Sequence, residues 1–187
     1  MNKSVNVKIF TSLAVLLLNC ICTALVCFVP IESTSLKIIG SFLSIALVSA
    51  TVWCFPIRFY IMTLIFVFFA SSLGSCLNLY RHLSFYDLFV HFLSGILLFE
   101  GGRIIIEYIS RKRNLPKDKV NVGLFALFFS CACAAFWEIF EYLCDVLINA
   151  EMQGTKANTM GDIIAGVLGA AIGAVGYFFI DLKRKKY

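Results

Sequence analysis

Three groups of ionisable residues lie inside long apolar runs of this 187-residue chain. Asp87 and His91 stand four residues apart in one run, Glu138, Glu141 and Asp145 follow Trp137 in a second, and Asp162 opens a third. On a helix advancing about 100° per residue, Asp87 and His91 share a face, and the three acids of the second run fall within roughly a 60° arc. A charged side chain near the centre of a bilayer costs about 3 kcal/mol on the insertion scale, so something must offset these groups. A divalent cation is one such device. Mixed imidazole and carboxylate ligands suit zinc, manganese or iron, and an all-oxygen subset suits magnesium or calcium. The candidate metal ligands are Asp87, His91, Glu138 and Asp162. Glu138 and Glu141 are the candidate catalytic residues, as general bases toward a metal-activated water. No serine with a placed base and no thiol beside His91 offers a nucleophile. Trp137, Tyr142, Asp145 and Thr159 are candidate substrate contacts, and Thr159 is also placed to cap the helix that carries Asp162.

Two other accounts compete with a metal site. Intramembrane acids and histidines form proton or cation relays, which would make the protein a small carrier. Alternatively Arg81 and Lys156 pair with the acids, which then only fix helix register in a non-catalytic membrane scaffold.

Composition sets the frame for these residues. The chain is 60% hydrophobic with a mean hydropathy of +0.90, whereas soluble domains are nearer half apolar. The apolar runs are long and continuous, which argues against an outer-membrane barrel with its alternating segments of about ten residues. The expected fold is an all-α polytopic transmembrane bundle, a single domain of six spans over about 9–29, 37–55, 59–77, 85–109, 122–148 and 159–180. Pro30 and Pro56 mark exits, because proline disfavours helix continuation. The net charge of +5 reads as a topology signal, with no nucleic-acid partner implied. With six spans most basic residues, including Arg111, Lys112, Arg113 and Lys183–Lys186, fall on one side, and Lys37, Arg81 and Lys156 on the other. The positive-inside rule then places both termini in the cytoplasm. The eight cysteines lie in or beside apolar runs with no C-x-x-C pair, so they read as small hydrophobes and not as a disulfide or zinc framework.

In this topology Asp87, His91, Glu138, Glu141, Asp145 and Asp162 all come to the outer half of spans four, five and six. Gly166, Gly169, Gly173 and Gly176 share the face of Asp162 to within roughly 40°, a pattern that lets membrane helices approach closely. Glu100, Arg103 and Glu107 have the spacing of a local ion-pair ladder. Asn19 and Asn78 are expected to hydrogen-bond between helices. The basic loop and tail are expected to meet anionic membrane lipids.

The motifs Tyr86-Asp87-x-x-x-His91-Phe92-x-x-Gly95, Trp137-Glu138-x-x-Glu141-Tyr142-x-x-Asp145 and Gln153-Gly154-x-x-x-Asn158-Thr159-x-x-Asp162 resemble the YjdF-type bacterial inner-membrane proteins, a family of unknown function. The resemblance covers about the last hundred residues. The last third is similar, more loosely, to VanZ-like proteins, some linked to glycopeptide-antibiotic resistance at the cell envelope. Two positions depart from the pattern: Asn158 stands where an acid is frequent, and Gly166 where asparagine is frequent. The resemblance implies a multi-pass protein of the bacterial cytoplasmic membrane. With the polar residues it leads to the expectation of an outward-facing site that binds or modifies a lipid-linked or headgroup-bearing envelope substrate, with a divalent metal ion.

Overall fold

The computed structural model describes residues 3–29, 33–116, 118–150 and 152–184, with side chains to residue 179 in the last stretch. Pro30, Lys185 and Lys186 therefore lie outside the described residues. Every described element is helical: α1 (Lys3–Phe28), α2 (Ser35–Thr51), α3 (Ile57–Val67), the π-helix π1 (Phe68–Cys76), α4 (Leu79–His82), α5 (Tyr86–Lys112), α6 (Lys119–Ile148) and α7 (Lys156–Arg184). Five stretches are long and apolar enough to cross a membrane: α1, α3 with π1, α5, α6 and α7. Helix α2 is apolar but has only 17 residues. At 1.5 Å per residue it reaches about 26 Å, just short of a hydrocarbon core of about 30 Å.

The second span is shorter at its end than the sequence predicts. Thr34 caps α2, its hydroxyl accepting from Lys37 N. The helix then stops at Thr51, and Val52–Phe55 close tight turns, with Phe55 N donating to Val52 O at 3.0 Å. Pro56 bars the helix from running on through Phe55, because the residue before a proline is disfavoured in the helical region. Helices α1, α3, α6 and α7 start earlier than their expected bounds, and α5 and α7 end later. Helix α6 starts at Lys119, where the Asp118 carboxylate accepts from Asn121 N at 2.9 Å. The third span changes winding at Phe68, which composition does not announce.

The chain forms two compact units, Met1–Val90 and His91–Tyr187, the division falling one turn into α5. In the first unit, Val15, Ile45, Tyr60, Leu64 and Val67 make a core from α1, α2 and α3. Tyr60 is fully buried, and its hydroxyl meets Ser12 Oγ at 2.6 Å. Lys8, only 7% exposed, donates from Nζ to Trp53 O at 2.5 Å and Phe55 O at 2.9 Å. The same ammonium lies 5.6 Å and 5.2 Å from the Trp53 and Tyr60 ring centroids. A cation near the last carbonyls of α2 also complements that helix end. Lys8→Met should therefore lower the thermal midpoint of the detergent-solubilised protein, with a loss of about 1.5–3 kcal/mol for charged hydrogen bonds. An unchanged midpoint would show that the Lys8 contacts carry no stability.

In the second unit α6 packs on α7, and glycines bring α5 against α7. A Cβ on Gly95 would run into the Gly166 carbonyl, and one on Gly169 into the Phe92 carbonyl. Gly173 lies against the Phe99 ring, at 3.0 Å from a Cβ position. Gly176 does not share this role, since a Cβ there would meet nothing within 4 Å. The face the sequence offers to a neighbour is thus used inside the chain. The Lys8 device recurs here: Lys119 Nζ donates to Phe178 O at 3.2 Å and lies over the Tyr177 and Phe178 rings.

Candidate functional site

Helix α5 carries Asp87 and His91 one turn apart, and α7 carries Asp162 near its start. One ligand atom from each of the three lies within 4.8 Å of the others. His91 and Asp162 are buried, at 7% and 1% exposure, and Asp87 is partly buried. From α6, Glu138 is buried at 4% exposure, with Oε1 3.8 Å from His91 Nε2. The glycine contact explains why these residues meet: with backbones touching at Gly95–Gly166 and Phe92–Gly169, His91 and Asp162 lie about one turn away along each helix. On the α6 side Ser130 Oγ donates to Gly95 O at 2.9 Å, tying α6 to the same point of α5.

The remaining candidates are held elsewhere. Glu141 accepts from Trp137 Nε1 at 2.8 Å on an exposed face of α6. Trp137 and Tyr142 are 48% and 53% exposed, as expected of aromatic side chains that meet lipid. Both Asp145 oxygens accept backbone N–H groups of the following loop, from Met152 at 2.7 Å and Gln153 at 2.8 Å. Asp145 thus closes the α6–α7 turn. Thr159 does not cap α7, because the helix starts three residues earlier, at Lys156. Thr155 takes that place, its Oγ1 accepting from Asn158 N at 3.3 Å. Thr159 lies in the first turn with a buried hydroxyl that has no hydrogen-bond partner among the described residues.

Asn158 was not among the expected site residues, yet its side-chain amide donates to Asp162 Oδ2. The i,i+4 spacing was the available signal. An amide at that position orients Asp162 and leaves one fewer negative charge than an acid would.

A profile described as a predicted membrane protein family, DUF2238, matches residues 9–183. The chain belongs to this family. The DUF2238 match runs from α1 into α7, so the first helices are as much part of the family as the motif-bearing last ones. It is consistent with the YjdF-type resemblance, and the looser VanZ-like similarity has no counterpart in it. No curated protein and no solved structure matches the chain. As a DUF2238 protein, it is an all-helical, multi-pass integral membrane protein.

In chemical terms, Asp87, His91 and Asp162 offer two oxygens and one imidazole nitrogen from one side. Three protein ligands of mixed type with open positions are the pattern of a catalytic rather than a closed structural metal site. Two ligands each about 2.1 Å from one ion are at most about 4.2 Å apart, so ligand atoms within 4.8 Å of one another are close to the span that one ion requires.

Proposed function

We propose that this protein binds a divalent cation in the membrane through Asp87, His91 and Asp162, with Glu138 beside His91 as the residue that accepts a proton. The observation that carries this reading is the approach of those three ligand atoms to within 4.8 Å, two of the residues being buried. Charge balance supports it. Asp87, Glu138 and Asp162 bring three carboxyl groups and His91 one imidazole to a poorly solvated place, and a divalent cation lowers the cost of keeping carboxylates ionised there. Asn158 then acts as a neutral donor that fixes Asp162. Because Glu141 is bonded to Trp137 on the exposed face, Glu138 is the better general base of the two.

The substrate on this reading is a lipid-linked or headgroup-bearing envelope molecule, approaching along the exposed aromatic face of α6. The protein sits in the bacterial cytoplasmic membrane with both termini inside and the site toward the outer surface. The scaffold alternative is weakened by the use of the α7 glycines inside the chain.

Metal analysis after purification and incubation with zinc, manganese or magnesium tests the proposal. The unmutated protein should retain about one equivalent of one of these ions per chain. An Asp87→Ala/His91→Ala variant of equal monodispersity should lose it. No stoichiometric ion in the unmutated protein, with any of the three metals, would remove the proposal.

A further inference from the structure

A π winding as long as Phe68–Cys76 is rare, and such windings are frequent at functional sites. In the first unit π1 is gripped from outside its own helix. The Tyr86 hydroxyl donates to the Phe69 carbonyl at 2.9 Å. Tyr86 is the first residue of α5 and is only 5% exposed. Four rings accompany this bond in a chain of contacts. Phe69 packs edge-on against Phe89 with centroids 5.6 Å apart, Phe89 lies 6.1 Å from Tyr86, and Tyr86 meets Tyr80 edge-on at 5.4 Å. Tyr80 in turn lies against Gly74 of π1, where a Cβ would run into its ring. The turn between π1 and α4 is held as well. Asn78 there takes a left-handed conformation, φ 58°, which asparagine tolerates, and its side chain accepts from Lys37 Nζ at 2.9 Å. The end of the third span, α4 and the first turn of α5 thus make one locked corner.

The residue after Tyr86 is Asp87, one of the three candidate cation ligands. Helix ends fray, and the first turn has no intrahelical partners for its N–H groups. A carboxylate on a turn free to rotate would not stay with the other two ligands. Adjacent side chains stand about 100° apart around a helix, so once Tyr86 is tied to π1 the direction of Asp87 is set too. A hydroxyl bonded to a carbonyl demands one distance and a narrow range of angles, which apolar ring contacts alone do not impose.

We propose that Tyr86 is a positioning residue: by holding the Phe69 carbonyl of π1 it fixes the first turn of α5, and with it the Asp87 carboxylate. The use made of Asp87 rests on the cation reading above. On this account π1 is the fixed surface against which the ligand-bearing turn is set. The ring of Tyr86 supplies burial, and its hydroxyl supplies the angle.

The test is Tyr86→Phe, which removes the hydroxyl and keeps the ring. Tyr60→Phe is the control. It deletes another buried hydroxyl of the first unit, the one that meets Ser12 Oγ at 2.6 Å, on the same span as Phe69. Affinity for whichever of zinc, manganese and magnesium the unmutated protein retains should fall about tenfold in Tyr86→Phe, the lower end for groups that orient a ligand. Tyr60→Phe should bind that ion as the unmutated protein does. Hydrogen exchange reads the same contact without metal. In Tyr86→Phe the amides of π1 and of residues 86–90 should lose protection together, and in Tyr60→Phe they should keep it. Unchanged affinity in Tyr86→Phe, or unchanged exchange, would overturn the inference. An equal loss of affinity in Tyr60→Phe would overturn it too, as the mark of a general loosening. An unmutated protein that holds no ion removes the cation reading alone, and the exchange of residues 86–90 then decides for or against Tyr86.

Discussion

Arg103→Met is expected to destabilise the protein by about 3 kcal/mol, approaching the cost of breaking a buried ion pair. Arg103 is the centre of a three-member ladder on α5. Its Nε and Nη2 meet both Glu100 oxygens at 2.7 Å and 2.5 Å, and Nη1 meets Glu107 Oε1 at 2.6 Å. The side chains are only 23–28% exposed. Removing the guanidinium leaves two carboxylates without their shared cation on an apolar helix. Residual solvent access sets the loss below the largest values known for such changes. Replacing the whole ladder, Glu100→Gln/Arg103→Met/Glu107→Gln, should recover most of the stability, because the penalty is the stranded charge. Thermal unfolding in detergent measures both. A single variant as stable as the parent would show the ladder to be fully solvated, and a triple variant no better than the single would place the loss in packing.

Gly95→Leu should be still more damaging, at about 3 kcal/mol or above, at the upper end of overpacking effects. A Cβ at Gly95 would collide with the backbone of Gly166 and come within 2.9 Å of Ala170 N. Backbone cannot rotate away as a side chain can, so α5 and α7 must separate. That separation would also pull His91 from Asp162, so metal retention should fall together with stability. Gly176→Leu is the control, since open space surrounds that position. Equal melting of the two variants would mean that the helices can part at Gly95 without loss.

The order and approximate extent of the helices are legible because apolar run length and proline are both written in the chain. The close packing of α7 on a neighbour is legible for a similar reason, through the spacing of Gly166, Gly169 and Gly173, whereas the identity of that neighbour, α5, is not. The π-helix is not, because one extra residue per turn changes neither composition nor hydropathy. Asp87 and His91 are readable as an i,i+4 pair. Which acid of α6 turns toward them is a different matter. Glu138 and Glu141 differ by about 60° around the helix, and only the rotation fixed by neighbours sends one to His91 and the other to Trp137. Asp145 shows the same limit, since its partners are backbone N–H groups seven and eight residues on, which carry no residue code. Asn158 was visible as a departure from a family pattern, but its bond to Asp162 required the helix to begin at Lys156.

Lys8 has a practical consequence for chemical mapping. Side-of-membrane assignments are commonly sought by adding an amine-reactive reagent to one face and finding which lysines are modified. Lys3 is exposed and open to such a reagent, whereas Lys8, five residues on, has its ammonium held by two carbonyls and covered by two rings. The reagent would mark the first only from the face on which it lies, and would pass over the second from either face. Silence at Lys8 would report that the α2–α3 turn is closed over it, and would say nothing about which compartment it faces.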